Sequence, residues 1–133
     1  MPTIYTDPFA DMPYMNPDNL KASTLHRPGA KDDKDKPLVE LVLGDFAHAL
    51  EQVCQIGTFG AQKYTEHGWL SVPDAQKRYA NAAGRHRLTR QKGETIDPES
   101  EMPHLAHEAW NILAQLELYL REEEDARQSK TMA

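Results

Sequence analysis

Apolar residues recur in this chain at intervals of three and four, and no segment alternates convincingly with period two. That rhythm is the pitch of a helix, not the pleat of a strand. The expected fold class is therefore all-α, a small helical bundle. Three runs carry the pattern. The first spans about Leu38 to Ile56, with Leu38, Val42, Phe46, Ala49, Val53 and Ile56 on one stripe. Asp45 lies at the edge of that stripe, where a carboxylate needs a partner. Gly57-Thr58-Phe59-Gly60 interrupts the pattern, and His67-Gly68-Trp69 reads as a loop. The second run begins near Pro73, with Ser71 as N-cap and proline tolerated in the first turn. It stops near Lys92 at Gly93, a C-terminal signal. The third starts near Pro103 and extends to about Glu124, with Leu105, Ala109, Ile112, Leu116 and Tyr119 as its expected core stripe.

The ends differ from this middle. Five of the nine prolines stand at positions 2, 8, 13, 17 and 28, too dense for a helix or a central strand. The expected organisation is an irregular proline-rich arm over 1–28, a helical domain over 29–124, and a charged tail over 125–133, with fraying expected from Glu122 onward. The 133 residues suit one such domain. No apolar run approaches 18 residues, so no membrane span is expected. Met1 to Tyr14 lack a charged segment followed by an apolar one, so no signal peptide is expected. The lone Cys54 cannot pair within the chain, which makes a reducing compartment the default. It also has no basic neighbour to activate it.

The net charge is −6, yet Lys77, Arg78, Arg85, Arg87, Arg90 and Lys92 crowd one stretch. A protein that coats nucleic acid is usually basic. An acidic chain with one basic patch suits a small anion better, or else the patch is a solvated helix face. Phosphate-binding loops of the G-x-x-x-x-G-K-[ST] kind, dinucleotide glycine patterns and a G-x-S-x-G elbow are absent from the sequence.

The third run holds the most informative chemistry. His104, His107, Glu108, Asn111 and Gln115 form one polar stripe, with the core stripe on one side and Trp110, Ala114 and Leu118 on the other. A polar stripe between apolar ones is often buried. Histidines at i and i+3 reach one ion, or else form a satisfied hydrogen-bonding pair. His86, on the stripe Ala75, Tyr79, Ala82, faces inward in the second run. Asp97 and Glu99 precede the third helix, where they complement its dipole, ligate Mg²⁺ or Mn²⁺ through oxygen, or do both. Phe59, Lys63, Tyr64, His67 and Trp69 form a second cluster able to stack a purine and hold a phosphate, or to serve as core.

Three blocks together resemble a phage family, the dATP/dGTP diphosphohydrolases in their N-terminal domain. Gly29-Ala30-Lys31-Asp32-Asp33-Lys34-Asp35-Lys36-Pro37 is similar to G-x-K-x-D-x-G-K-P. Phe59-Gly60-Ala61-Gln62-Lys63-Tyr64 with Gly68-Trp69 is similar to F-G-A-x-K-Y and N-W. Arg85-His86, Gly93-Glu94, Asp97, Glu99-Ser100, His104-Leu105-Ala106-His107 and Asn111 resemble R-H, G-E-x-x-D-x-E-S-G-x-x-H-L-A-H and a following N. Asp35 and Glu101 replace glycines of that pattern, and Gly68 replaces its asparagine. A more distant, architectural likeness is to the MazG-type all-α pyrophosphohydrolases, whose E-x-x-E and E-x-x-D motifs this chain lacks.

The resemblance implies metal-dependent hydrolysis of dGTP or dATP to the monophosphate and pyrophosphate, in the cytoplasm (the host's, for a phage-encoded chain). It makes His86, Asp97, Glu99, His104 and His107 candidates for catalysis. With Glu108 they are also candidate ligands of Mg²⁺ or Mn²⁺. Lys36, Lys63 and Arg85 become candidates for phosphate, Tyr64 and Trp69 for the base, and Asn111 for substrate. A homo-oligomer, dimer or tetramer, is expected because three helices give a thin core; neither a nucleic-acid duplex nor a membrane is expected as partner. Two other readings stay open: a nucleotide-sequestering module without hydrolysis, and a helical interaction protein whose polar stripe is only a buried network.

Overall fold

The computed structural model describes residues 27–132, which fall in two compact units divided after Leu38. The proline-rich arm lies almost wholly outside the described residues. In the first unit, Ala30 N–H donates to Arg27 O (2.9 Å) across Pro28-Gly29, and Gly29 takes φ 87°. Proline followed by a residue of positive φ is the order that such a turn demands. A second turn brings Lys36 N–H to Asp33 O (3.2 Å), with Asp35 at φ 67°.

The second unit is helical. Helix α1 is short, Glu40–Leu43, and α2 runs Ala47–Lys63. The expected single helix over 38–56 is thus divided at Gly44–Phe46, where Phe46 leaves the helical region at φ −113°, ψ 28°. It also does not stop at Ile56. Gly57 and Gly60 are carried inside α2, against expectation. At Gly57 packing compensates for lost propensity, since a Cβ there would lie 3.4 Å from Trp110 Nε1. Of the expected α1–α2 stripe only Ile56 is buried, and Val42 and Phe46 are more than half exposed.

A 3-10 turn, Gly68–Ser71, leads to α3, Ala75–Gln91. The residue before α3 is Asp74, at φ 52° and without a side-chain cap bond, so Ser71 is not its N-cap. The stop at Gly93 is as expected, with φ 106° and its N–H on Arg90 O. The acidic loop after it contains a small antiparallel hairpin. Strand β1, Ile96–Asp97, pairs Ile96 with Pro103 and Asp97 with Met102 of β2, Met102–Pro103. Period two cannot be read from strands of two residues.

Helix α4, His104–Met132, is the spine of this unit and continues through the charged segment without a break. Both α3 and α2 pack on it. Its buried residues are His104, Ala106, His107, Asn111 and Ala114. Of the polar stripe, His104, His107 and Asn111 are buried, and Glu108 and Gln115 are half-buried. The expected core stripe is not buried: Leu105, Ile112, Leu116 and Tyr119 are each more than half exposed. The small side chains of Ala106 and Ala114 let α2 and α3 approach on the polar side, leaving the leucine-rich side without a partner among the described residues.

Candidate active site

Three imidazoles meet where α3 crosses the start of α4. His86 Nδ1 lies 2.9 Å from His104 Nδ1, and the His86 and His107 rings stack at 4.4 Å with planes 8° apart. Phe59 of α2 meets His107 edge-on at 6.1 Å. All three helices therefore contribute. Helical spacing sets the arrangement: positions 104 and 107 project from one face of α4 toward α3. Backbone pairing of His104 N–H with Thr95 O (2.9 Å) ties the hairpin to the same place.

The hairpin supplies the oxygens. Asp97 Oδ2 accepts from Ser100 N–H (3.0 Å) and from the Ser100 hydroxyl (2.8 Å), and Ser100 Oγ lies 2.6 Å from His107 Nε2. Met102 N–H also points at Ser100 Oγ (3.3 Å). A hydroxyl has one proton. Given to the Asp97 carboxylate, which can only accept, it leaves Oγ to accept from His107 Nε2–H. Behind His104, Nε2 lies 3.2 Å from Glu94 Oε1.

Electrostatics follow from this packing. Burial pushes the His86 pKa below its ordinary value, and the neighbouring His107 and His104 push it the same way against Asp97. Burial likewise lowers that of His107, with Asp97 opposing. Burial alone would raise the Asp97 pKa, but the two hydrogen bonds from Ser100 and then the histidines outweigh it, and the carboxyl ends below its usual range. His86 and His107 are thus held toward neutral imidazole beside an ionised Asp97, a state suited to accepting protons.

Beside the hairpin, Lys63 Nζ pairs with Glu99 Oε1 at 2.6 Å and lies 5.3 Å from the centre of the Tyr64 ring. The hydrogen bond it donates to Glu99 raises the lysine pKa above its ordinary value. Tyr64 is largely exposed. Lysine, tyrosine and the Asp97–Ser100 turn therefore share one side of the unit.

Other expected site residues stand apart from the histidines. Glu108 pairs with Arg90 at 3.0 Å. Asn111 is buried and its amide donates to His107 O (2.8 Å), within its own helix. Trp69 packs edge-to-face on Trp110 at 6.0 Å, with Arg121 over its ring and its carbonyl taking the Tyr79 hydroxyl at 2.6 Å. Arg85 lines a shallow groove on the outer side of α3 with Asn81, Gly84 and Leu88, sharing no residue with the histidine cluster. Lys36 belongs to the first unit. Glu94 and Ser100 went unassigned as site residues on sequence. Their signals are their places in the third block of the family pattern, the position of Glu94 after the helix stop, and the three-residue spacing from Asp97 to Ser100, a turn-capping interval.

Magnesium and manganese favour carboxylate and phosphate oxygens. Here Asp97 is engaged by Ser100, Glu99 by Lys63, Glu108 by Arg90 and Glu94 by His104. Among the described residues no group of three or more His, Cys, Asp or Glu side chains is arranged to hold an ion. The sealed polar atoms without partners among those residues, Gln52 Oε1 and Arg90 Nε, belong to neither the imidazoles nor the carboxylates. These donors do not by themselves fit a cage for either ion.

Residues 26–128 match the family described as dATP/dGTP diphosphohydrolase, N-terminal. No curated protein and no solved structure matches the chain. Asp35 and Glu101, which replace glycines of the pattern it resembles, both hold positive φ, 67° and 60°. The loop geometry that calls for glycine is kept without it.

Proposed function

The chain belongs to the dATP/dGTP diphosphohydrolase N-terminal family, and from that premise we propose that it hydrolyses dGTP, dATP or both to the monophosphate and pyrophosphate. The observation that carries the reading is that the matched span, 26–128, includes a cluster of three imidazoles with Lys63 and Tyr64 beside its hairpin. A triphosphate carries more charge than the Glu99 carboxylate and displaces it from Lys63. Tyr64 offers an exposed face to a purine, and Trp69 serves as scaffold. Lys36 and Arg85 remain phosphate candidates. His107, held by Ser100, and His86 supply proton acceptors. No step is assigned to a bound Mg²⁺ or Mn²⁺, because the donors do not converge on one. The reaction belongs in the cytoplasm.

The unpartnered side of α4 gives the assembly its seam. Leu105, Ala109, Ile112, Leu116 and Tyr119 follow one another at intervals of four, three, four and three, the spacing by which one helix seats another. The occupant is a second copy of this chain.

A second reading is favoured by the same lack of converging carboxylates: a module that binds the nucleotide and does not cleave it. A panel of deoxy- and ribonucleoside triphosphates with Mg²⁺, Mn²⁺ or chelator, read for monophosphate and pyrophosphate, separates the two. The expected result is stoichiometric monophosphate and pyrophosphate from dGTP or dATP. Retention of nucleotide in dialysis without product supports sequestration. Neither binding nor product sinks both readings.

A further inference from the structure

We infer that Glu94, His104 and His86 form a proton relay in which His86 Nε2 is the base and Glu94 is the residue that positions it. The inference rests on the hydrolase reading for its chemistry and on geometry for its proton placement. A carboxylate only accepts hydrogen bonds, so the 3.2 Å approach of Glu94 Oε1 to His104 Nε2 requires the proton to be on Nε2. With His104 taken as the neutral imidazole, that one proton leaves its Nδ1 bare. The facing nitrogen 2.9 Å away, His86 Nδ1, must then donate. That fixes His86 as the Nδ1–H tautomer and leaves its Nε2 with the lone pair. His86 Nε2 meets no hydrogen-bond partner among the described residues and is not sealed from solvent.

The same accounting fixes the third ring. With the Ser100 proton on Asp97, His107 donates from Nε2 to Ser100 Oγ. Two of the three histidines are therefore held in one tautomer by the hairpin and its approach, and His86 presents a free acceptor outward. The charged and titratable groups facing it are His104 and His107 from α4 and Asp97 from the hairpin; Arg85, on the outer side of its own helix, acts on it only through its charge.

In the reaction, water attacks the α-phosphorus and gives its proton to His86 Nε2. The new O–P bond forms as the bond from the α-phosphorus to the bridging oxygen breaks, its electron pair leaving on pyrophosphate. The imidazolium so formed holds its Nδ1–H on His104, whose Nε2–H rests on Glu94. A carboxylate two rings away thus orients the base and offsets its charge, the part that a buried aspartate plays behind a single histidine in hydrolytic triads.

The test uses the full chain. Nitrogen-15 imidazole spectra of the wild type should show His104 and His107 protonated at Nε2 and His86 at Nδ1. Glu94→Gln keeps the size and removes the charge at a half-exposed position, so folding is retained, as helicity will check. It should lower kcat about 10- to 100-fold with KM unchanged. It should also move the acid limb of the kcat profile to lower pH, because losing the anion makes His86 less basic. Glu94→Asp, which keeps a carboxylate, should recover part of the rate. A wild-type His104 proton on Nδ1, or a Glu94→Gln protein whose kcat and acid limb are unmoved, overturns the relay. If the wild type cleaves no nucleotide, the hydrolase reading fails and the spectra alone decide the proton placement.

Discussion

Helix α4 has two faces, and burial treats them in the reverse of their hydrophobicity. His104, His107 and Asn111 are at most 7% exposed, whereas Leu105, Ile112, Leu116 and Tyr119 stand more than half in solvent. In a self-sufficient bundle the leucines would be inside, at roughly 25 cal/mol for each Å² removed from water. The inversion teaches that the inner face is built for its hydrogen bonds. Every buried polar residue there is satisfied: His104 by His86 and Glu94, His107 by Ser100, Asn111 by the His107 carbonyl. A polar interior held by these hydrogen bonds is a site or its scaffold, and the leucine-rich exterior has no partner among the described residues.

The largest expected effect comes from breaking the inner face. His107→Ala removes the partner of Ser100 and the ring stacked on His86. Turnover of dGTP or dATP should fall by ~10²–10⁴, the scale of a general acid–base group. Stability should fall by about 1–3 kcal/mol for the hydrogen bond lost. Steady-state rates paired with urea melts make the check. A folded variant that keeps wild-type turnover would show the inner face to be scaffold alone.

Much of this was legible in the sequence, and the misses have physical causes. The spacing of His104, His107 and Asn111 gave a buried polar stripe because both of its flanks are apolar. The same periodicity misassigned Leu105, Ile112 and Leu116, since helical spacing says which residues share a face and not whether that face meets its own chain. Gly57 reads as a break because propensity carries no knowledge of Trp110 lying against the helix there; at Gly60 no neighbour lies within 4 Å of an added Cβ. The hairpin was invisible at two residues per strand, and with it the roles of Glu94 and Ser100, which act only once the turn has brought them to the imidazoles. Of the cluster Phe59, Lys63, Tyr64, His67 and Trp69, Lys63 lies over the Tyr64 ring, whereas Phe59 turns to His107 and Trp69 to Trp110.

Breaking the outer face should change assembly and spare the chemistry. In a monomer, Ile112→Glu with Leu116→Glu sits in solvent and should cost within ~0.5 kcal/mol at each position. Across a seam with a second copy, each buried aliphatic side chain is worth ~1.5–3 kcal/mol. The wild type should therefore scatter light as a dimer or tetramer at micromolar concentration, and the double variant as a monomer with its helical signal intact. A wild-type monomer would sink the seam, and an oligomer that survives both charges would move it elsewhere, for instance to α1, where Leu41, Val42 and Leu43 are also exposed.

The smallest expected effect lies in the turn that carries Asp97 and Ser100. Glu101 holds φ 60° while its N–H donates to Asp97 O at 2.8 Å, closing the hairpin. The left-handed region costs an L-residue about 1–2 kcal/mol relative to glycine's freedom there. Part of that is returned by the larger entropy that glycine loses on folding, about 0.5–1 kcal/mol. Glu101→Gly should then raise stability by about 0.5–1 kcal/mol, seen as a higher Tm, with Asp97, Ser100 and the imidazoles undisturbed because the backbone keeps its path. The sign is what sharpens the contrast with α4. At the helix, side-chain chemistry decides what is buried; at this turn, backbone geometry decides, and the side chain is a burden. A Glu101→Gly protein that melts lower, or that loses turnover, would mean that the glutamate itself holds the hairpin in place.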